Sequence, residues 1–193
     1  MANIQVLSKR LGRSHELAAE LWETHWYEAR MLTSFVDEPA LVTPEQMDRW
    51  CFDFDNWGIC DTVCFHLFDR TPYAWDKVGT WSNQNEEFVK RAAFGLLASL
   101  AGHDKTACNR TFAESLPLIE RAATDERNFV KKGVSWALRR IGRRNHELHS
   151  AALPVAQRLA DSTNVAARWV GKDALRELTK PSVVRALAKG KQR

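Results

Sequence analysis

The sequence predicts an all-α protein built as a stack of helix pairs, on three observations. Apolar residues recur at helical spacing through almost the whole chain, and polar caps and prolines mark the helix starts. Val and Ile never alternate with polar residues long enough to propose a strand. Helices of the same internal register return at intervals of 31 to 41 residues.

The elements follow in order. Ser14 caps "SHELAAELW". Thr43-Pro44-Glu45-Gln46 supplies a cap, a proline at the first helical position and a capping-box Gln. Thr71-Pro72 repeats the cap-and-proline start. Ser82 or Asn85 is expected to open "EEFVKRAAFGLLASLAG", with Gly102 ending it. The remaining helices are "RTFAESLPLIERAA", "ERNFVKKGVSWALRRIG", "NHELHSAALPVAQRLA", "NVAARWVGKDALRELT" and "PSVVRALAKG".

"FVKRAAFGLLASLAG" begins at Phe88 and "FVKKGVSWALRRIGR" at Phe129, in one register and 41 residues apart. "VAARWVGKDALREL" follows about 36 residues later, more loosely. "WYEARMLTSFV" at Trp26 and "WGICDTVCFHLF" at Trp57 stand 31 residues apart. Such recurrence marks an α-solenoid of HEAT-like type, with a concave surface lined by the second helix of each pair. We read residues 1–193 as one such domain.

The chain has 193 residues, enough for one sizeable core. It lacks an early secretory pattern and any apolar run of roughly 20 residues, so a cytoplasmic protein with no membrane association is expected. Cys51, Cys60, Cys64 and Cys108 are then expected as free thiols. Charge is uneven. Residues 1–119 carry a net −6 and residues 120–193 a net +10. A basic half suggests a polyanion partner, although a plain solvated basic surface would read the same.

Helical wheels single out a few side chains. In the helix after Asn56, residues Ile59, Cys60, Val63, Cys64 and Leu67 form an apolar stripe. Trp57 and Asp61 lie one turn apart at its aromatic border, away from the side of Gly58, Thr62 and His66, which is expected to be the solvated face. A functional carboxylate and a structural one paired to a local Arg both fit that position. In the helix from Phe129, Trp136 points off the stripe of Val130, Val134, Ala137, Leu138 and Ile141, among Lys132, Arg139 and Arg140. Arg91 takes the matching outward region one repeat earlier, and Trp169 lies beside Arg168, Lys172 and Arg176. A surface Trp covered by Arg stems is the plain alternative, but the recurrence favours a binding surface.

A metal site is a poorer reading of Cys60, Cys64 and His66. His66 leaves the helix on another side, and structural zinc needs four convergent ligands. No metal or cofactor is expected, and no phosphate-cradling glycine loop is present in the sequence.

The segments "WYEARMLTSFV", "NWGICD", "FVKRAAFGLL" and "FVKKGVSWALRRIG", in that order, resemble the bacterial HEAT-like-repeat DNA alkylation-repair glycosylases, the AlkD-like family. The likeness spans roughly residues 2–180. Members usually carry further helices before the segment corresponding to "MANIQVLSKRLGR", so an N-terminal repeat is expected to be missing here. The resemblance implies hydrolysis of the N-glycosidic bond of cationic N3- or N7-alkylated purines in double-stranded DNA, without a base-recognition pocket. It places active-site residues at Trp57, Asp61, Arg91 and Trp136. Asp61 would stabilise an oxocarbenium-like sugar and position water, the two Trp would pack on the deoxyribose and backbone, and Arg91 would hold phosphate. Lys132, Arg139, Arg140, Arg143, Arg144, Arg168, Trp169, Lys172 and Arg176 would form the DNA contact, and the protein is expected to act as a monomer. The competing function is a non-catalytic HEAT-like scaffold for nucleic acid or an acidic protein. Such a scaffold has no need of Asp61 beside its polyanion.

Overall fold

The computed structural model describes residues 1–190, and twelve α-helices and one 3-10 turn account for the elements among them. In chain order they are α1 Ala2–Leu11, α2 His15–Glu23, α3 Tyr27–Val36, α4 Pro44–Phe52, α5 Trp57–His66 and, after a 3-10 turn at Phe68–Arg70, α6 Ala74–Trp81. There follow α7 Glu87–His103, α8 Asn109–Ala122, α9 Asn128–Gly142, α10 His146–Ala160, α11 Val165–Leu178 and α12 Pro181–Gly190.

Local chemistry sets several starts as expected. The Leu17 N–H donates to Ser14 Oγ at 3.1 Å, and the Gln46 N–H to Thr43 Oγ1 at 3.2 Å. Asn56, Asn145 and Asn164 cap α5, α10 and α11 in the same way. Other boundaries move. Gln46 does not complete a capping box, because its side-chain amide turns to Asp37 Oδ2 at 2.9 Å. Thr71 does not cap α6. Its hydroxyl donates to the Phe68 carbonyl at 2.8 Å and closes the 3-10 turn instead. Ser82 ends α6, bonded to the Gly79 carbonyl, so α7 opens after Glu86 and runs one residue past Gly102.

Helices α3, α5, α7, α9 and α11 pack successively against one another as the inner layer. Helices α2, α6, α8 and α10 flank them on the outside, each packed on the inner helix that follows it. The solenoid read from the 31- to 41-residue recurrence is therefore the architecture. Gly171 shows how tightly one pair closes: a Cβ there would lie 2.1 Å from the Ala160 nitrogen and 2.6 Å from the Ala156 oxygen. Only glycine lets α11 lie against the backbone of α10 at that point.

The eight Trp divide cleanly. Trp22, Trp50 and Trp81 are fully buried. Trp22 and Trp50 stack at 4.2 Å with planes 6° apart. Trp75 and Trp136 are half-buried, while Trp26, Trp57 and Trp169 are exposed. Cys51, Cys60 and Cys64 are buried free thiols, and Cys108 is an exposed one. The Cys60 and Cys64 thiols point to the Phe88 and Ala92 carbonyls of α7, at 3.7 and 3.6 Å. Burial pushes the Cys64 thiol pKa up, as it does that of Cys51. One expectation about α5 is corrected. Gly58 and Thr62 are buried too, so the side opposite the stripe is no solvated face. The helix is enclosed by α3 on one flank and α7 on the other.

Candidate active site

A groove of about 680 Å³ crosses four consecutive inner helices, α5, α7, α9 and α11. Asn56 caps α5 through the Ile59 N–H and so fixes Trp57 as the first helical residue, with 56% of its surface open to solvent. One turn on, Asp61 lies in the groove with 20% of its side chain exposed. A Cβ on Gly58 between them would sit 2.5 Å from the Tyr27 hydroxyl, so the Tyr27 ring would have to shift to admit a side chain there. Trp136 forms the next wall, backed by the Phe65 ring in a stacked arrangement at 6.4 Å and 18°. Gly95 of α7 packs behind both, where a Cβ would make ordinary contacts, 3.7 Å from Asp61 Oδ1 and 3.8 Å from the Trp136 ring.

Arg91, from α7, commits its guanidinium to this floor. Nε donates to Asp61 Oδ1 at 2.9 Å, Nη2 to Asp61 Oδ2 at 2.6 Å, and Nη1 to the Phe129 carbonyl at 2.7 Å. Only 7% of the Arg91 side chain is exposed. This differs from the phosphate contact expected of it. A fork that already grips a carboxylate and a carbonyl orients Asp61 and joins α5, α7 and α9. Burial pushes the Asp61 pKa above its ordinary value, against the lowering effect of the Arg91 hydrogen bonds and charge. Two opposed influences thus act on one carboxylate. Arg91 favours the ion, and the low-dielectric floor opposes it.

Lys132, Arg139 and Trp169 also line the groove. So do Phe129 and Asp173, which sequence reasoning does not single out. A signal for Asp173 existed, since it follows Trp169 by four residues, the spacing of Trp57 and Asp61. The other expected DNA contacts are not gathered here. Arg140 Nε donates to the Ala98 carbonyl at 3.3 Å. The two ends of the Arg144 fork donate to the Ala101 and Ala107 carbonyls, both at 3.2 Å, with the guanidinium over the Phe112 ring at 4.4 Å. These two arginines staple α9 to the end of α7 and the turn after it. Arg143 is paired to Glu177 at 2.8 Å, Arg168 bonds back to the Ser162 carbonyl at 3.2 Å, and Arg176 pairs with Asp173. Lys172 is exposed outside the groove lining. A wheel gives the azimuth of a side chain but not how far a long Arg curls back. That is why Lys132 and Arg139 reach the groove and Arg140, Arg143 and Arg144 do not.

Among the described residues no three His, Cys, Asp or Glu side chains cluster as a metal site, and no helix is long and apolar enough to cross a membrane. The class that fold and site define is a HEAT-like helical-repeat protein with an aromatic, acid-floored groove on its inner layer. By sequence the chain belongs to the DNA alkylation repair enzyme family, which it matches over residues 2–178.

Among solved structures it is similar to a protein described as belonging to "a new family of proteins related to the HEAT-like repeat DNA glycosylases with affinity for branched DNA structures". The two share 18% identity with a TM-score of 0.73, over 92% of this chain and 81% of the other. Two designed armadillo repeat proteins, one in complex with the peptide (KR)4, match at TM-scores of 0.43 and 0.40 with 14% and 16% identity. The first alignment covers 84% of this chain and 80% of the designed one, and the second covers 92% of each. No curated protein sequence matches the chain.

Proposed function

We propose that the protein is a DNA glycosylase that hydrolyses the N-glycosidic bond of cationic N3- or N7-alkylated purines in double-stranded DNA. The observation that carries the reading is the partly buried Asp61 carboxylate, held by Arg91 on the floor of a groove walled by Trp57 and Trp136. Membership of the DNA alkylation repair enzyme family supports it.

The chemistry follows from the lesion. An N7- or N3-alkylated purine carries a positive charge, so the bond from sugar C1′ to purine N9 is weakened from the start. When it breaks, the bonding pair leaves with the base, which becomes neutral, and the charge passes to the sugar as an oxocarbenium-like cation. A carboxylate fixed beside that cation stabilises it, and does so best where water is scarce. Asp61, held by Arg91 on both oxygens and four-fifths covered, is suited to that role. A water then adds its oxygen to C1′ and gives up a proton, for which Asp61 is the acceptor at hand. The electron-rich faces of Trp57 and Trp136 favour the developing cation and exclude solvent from it. Lys132 and Arg139 supply phosphate contacts at the edge. Arg91 acts through Asp61, keeping both carboxylate oxygens in register.

The same bidentate grip favours a second reading, a non-catalytic DNA-binding scaffold in which Asp61 and Arg91 only staple the helices together. Base release from duplex DNA containing N7-methylguanine decides between the two. Release by the parent and its loss in Asp61→Asn support the enzyme. No release by a folded, DNA-binding parent supports the scaffold.

A further inference from the structure

The groove contains a second Trp–Asp element. Trp169 and Asp173 on α11 repeat the four-residue spacing of Trp57 and Asp61 on α5, and all four line the same groove. The two elements lie on the outer pair of the four helices, α5 and α11, and each carboxylate meets an arginine of the inner pair. Asp61 takes Arg91 from α7, and Asp173 takes Arg139 from α9 at 3.4 Å.

The two pairs differ in what they leave free. Arg91 is buried, and its fork is used up on Asp61 and a backbone carbonyl. Arg139 makes only the longer contact to Asp173 and a 3.3 Å bond to the Ser135 carbonyl, and 32% of its side chain is exposed. Asp173 is in turn pinned by the buried Ser135 hydroxyl at 2.6 Å and by Arg176. Asp173 thus accepts hydrogen bonds from Ser135 and Arg176 and faces the Arg139 guanidinium at 3.4 Å. It holds an arginine in place. Trp169 beside it is partly exposed, and the Lys131 ammonium sits 5.3 Å from its ring centre.

We propose that Trp169, Arg139 and Asp173 form a second subsite of the groove, which takes a sugar–phosphate unit of DNA next to the nucleotide facing Asp61. Trp169 packs on the sugar or base of that unit, Arg139 holds its phosphate, and Asp173 is the positioning residue for Arg139. The proposal rests on the DNA-binding part of the reading above and not on base release.

The test is binding to a short undamaged duplex and to the corresponding single strand, followed by fluorescence anisotropy across a salt series. Trp169→Ala should weaken duplex binding about 10-fold, as removal of a base- or sugar-stacking ring does, and Trp169→Phe should restore most of it. Arg139→Ala should lower the slope of log affinity against log salt by about 1. Asp173→Asn should reproduce the Arg139→Ala slope, and the double variant should add nothing further. Equal losses on duplex and single strand place the unit on the strand that faces Asp61, whereas a loss confined to duplex places it on the complementary strand.

Unchanged affinity of a helical Trp169→Ala protein overturns the subsite. Higher affinity of Asp173→Asn overturns the positioning role, since it would mark Asp173 as merely a repelling charge. A parent that binds DNA but releases no base sinks the glycosylase reading and leaves these binding outcomes to stand or fall alone. A parent that binds no DNA overturns both.

Discussion

Arg91 grips both oxygens of Asp61, at 2.9 and 2.6 Å, from the neighbouring inner helix, and its third nitrogen, Nη1, donates to the Phe129 carbonyl in the first turn of the next helix. One guanidinium therefore sets the carboxylate and spans three repeats. A pair so enclosed is costly to break from either side, because the survivor is left as a poorly solvated charge.

Asp61→Asn keeps the shape of the site and removes its charge. Base release should fall by about 10²-fold or more, as for loss of a well-placed electrostatic group. Duplex affinity should hold or rise, because a negative charge near phosphates is gone. Single-turnover release from N7-methylguanine DNA, with anisotropy in parallel, checks both. Unchanged release by a folded variant counts against the mechanism.

Arg91→Ala strands the Asp61 carboxylate and should destabilise the fold by about 3 kcal/mol, the scale seen when a buried pair loses one partner. Arg91→Lys keeps a charge but cannot match both oxygens and the Phe129 carbonyl at once. It should recover part of the stability and little of the activity. Urea unfolding and base release, compared across the two variants, separate the charge from the geometry.

Acidification should silence the site early. Burial raises the Asp61 pKa above its ordinary 3.8, so the required carboxylate is lost at a higher pH than an exposed Asp would allow. The acidic limb of the pH–rate profile should therefore lie above that value. An acidic limb at or below it would mean that Asp61 titrates like a surface group.

Asp104 behaves in the opposite sense. Although partial burial works against the ion, N–H donors from Ala107 and Thr106, the Thr106 hydroxyl and the Trp75 indole hold its carboxyl down at about 2. A depressed pKa contributes stability above the unfolded-state value of about 3.9, and that stability is lost as pH falls through about 2. Asp104→Asn should flatten the acid unfolding limb across that window, as followed by circular dichroism.

Gly171→Ala should be severe for a single methyl group. The new carbon would land 2.1 Å from a backbone nitrogen of α10, and backbone cannot step aside as a flexible side chain can. A cost of about 3 kcal/mol lowers Tm by roughly 6–12 °C for a domain of this size. Calorimetry on the variant tests it, with Gly79→Ala as the control, since nothing lies within 4 Å of a Cβ there.

The helical stack was legible because periodicity, caps and the Phe-Val-Lys register all pointed the same way. Asp61 was legible because its azimuth sits at the border of an apolar stripe, and one wheel reveals that. What Arg91 does was not legible. An outward arginine looks free on its own helix, and only the neighbouring helices show that Asp61 and the Phe129 carbonyl absorb it. Arg140 and Arg144 stayed hidden in the same way, since their partners are backbone carbonyls, which carry no signature in sequence. The buried far side of α5 was missed because Gly58 and Thr62 look polar or neutral on a wheel, yet two neighbouring helices cover them.

The division of the tryptophans makes the protein its own optical probe. The three fully buried indoles, Trp22, Trp50 and Trp81, all precede residue 82, whereas those of the groove, Trp57, Trp136 and Trp169, reach to α11. Emission from the first set is shielded from iodide and should report loss of the N-terminal repeats. In a Trp26→Phe background, which removes the exposed indole outside the groove, iodide reaches Trp57 and Trp169, whose emission should dim or shift when the groove is occupied. Selective quenching therefore separates ligand occupancy from melting in an unlabelled sample, and it shows whether the two ends of the stack come apart together.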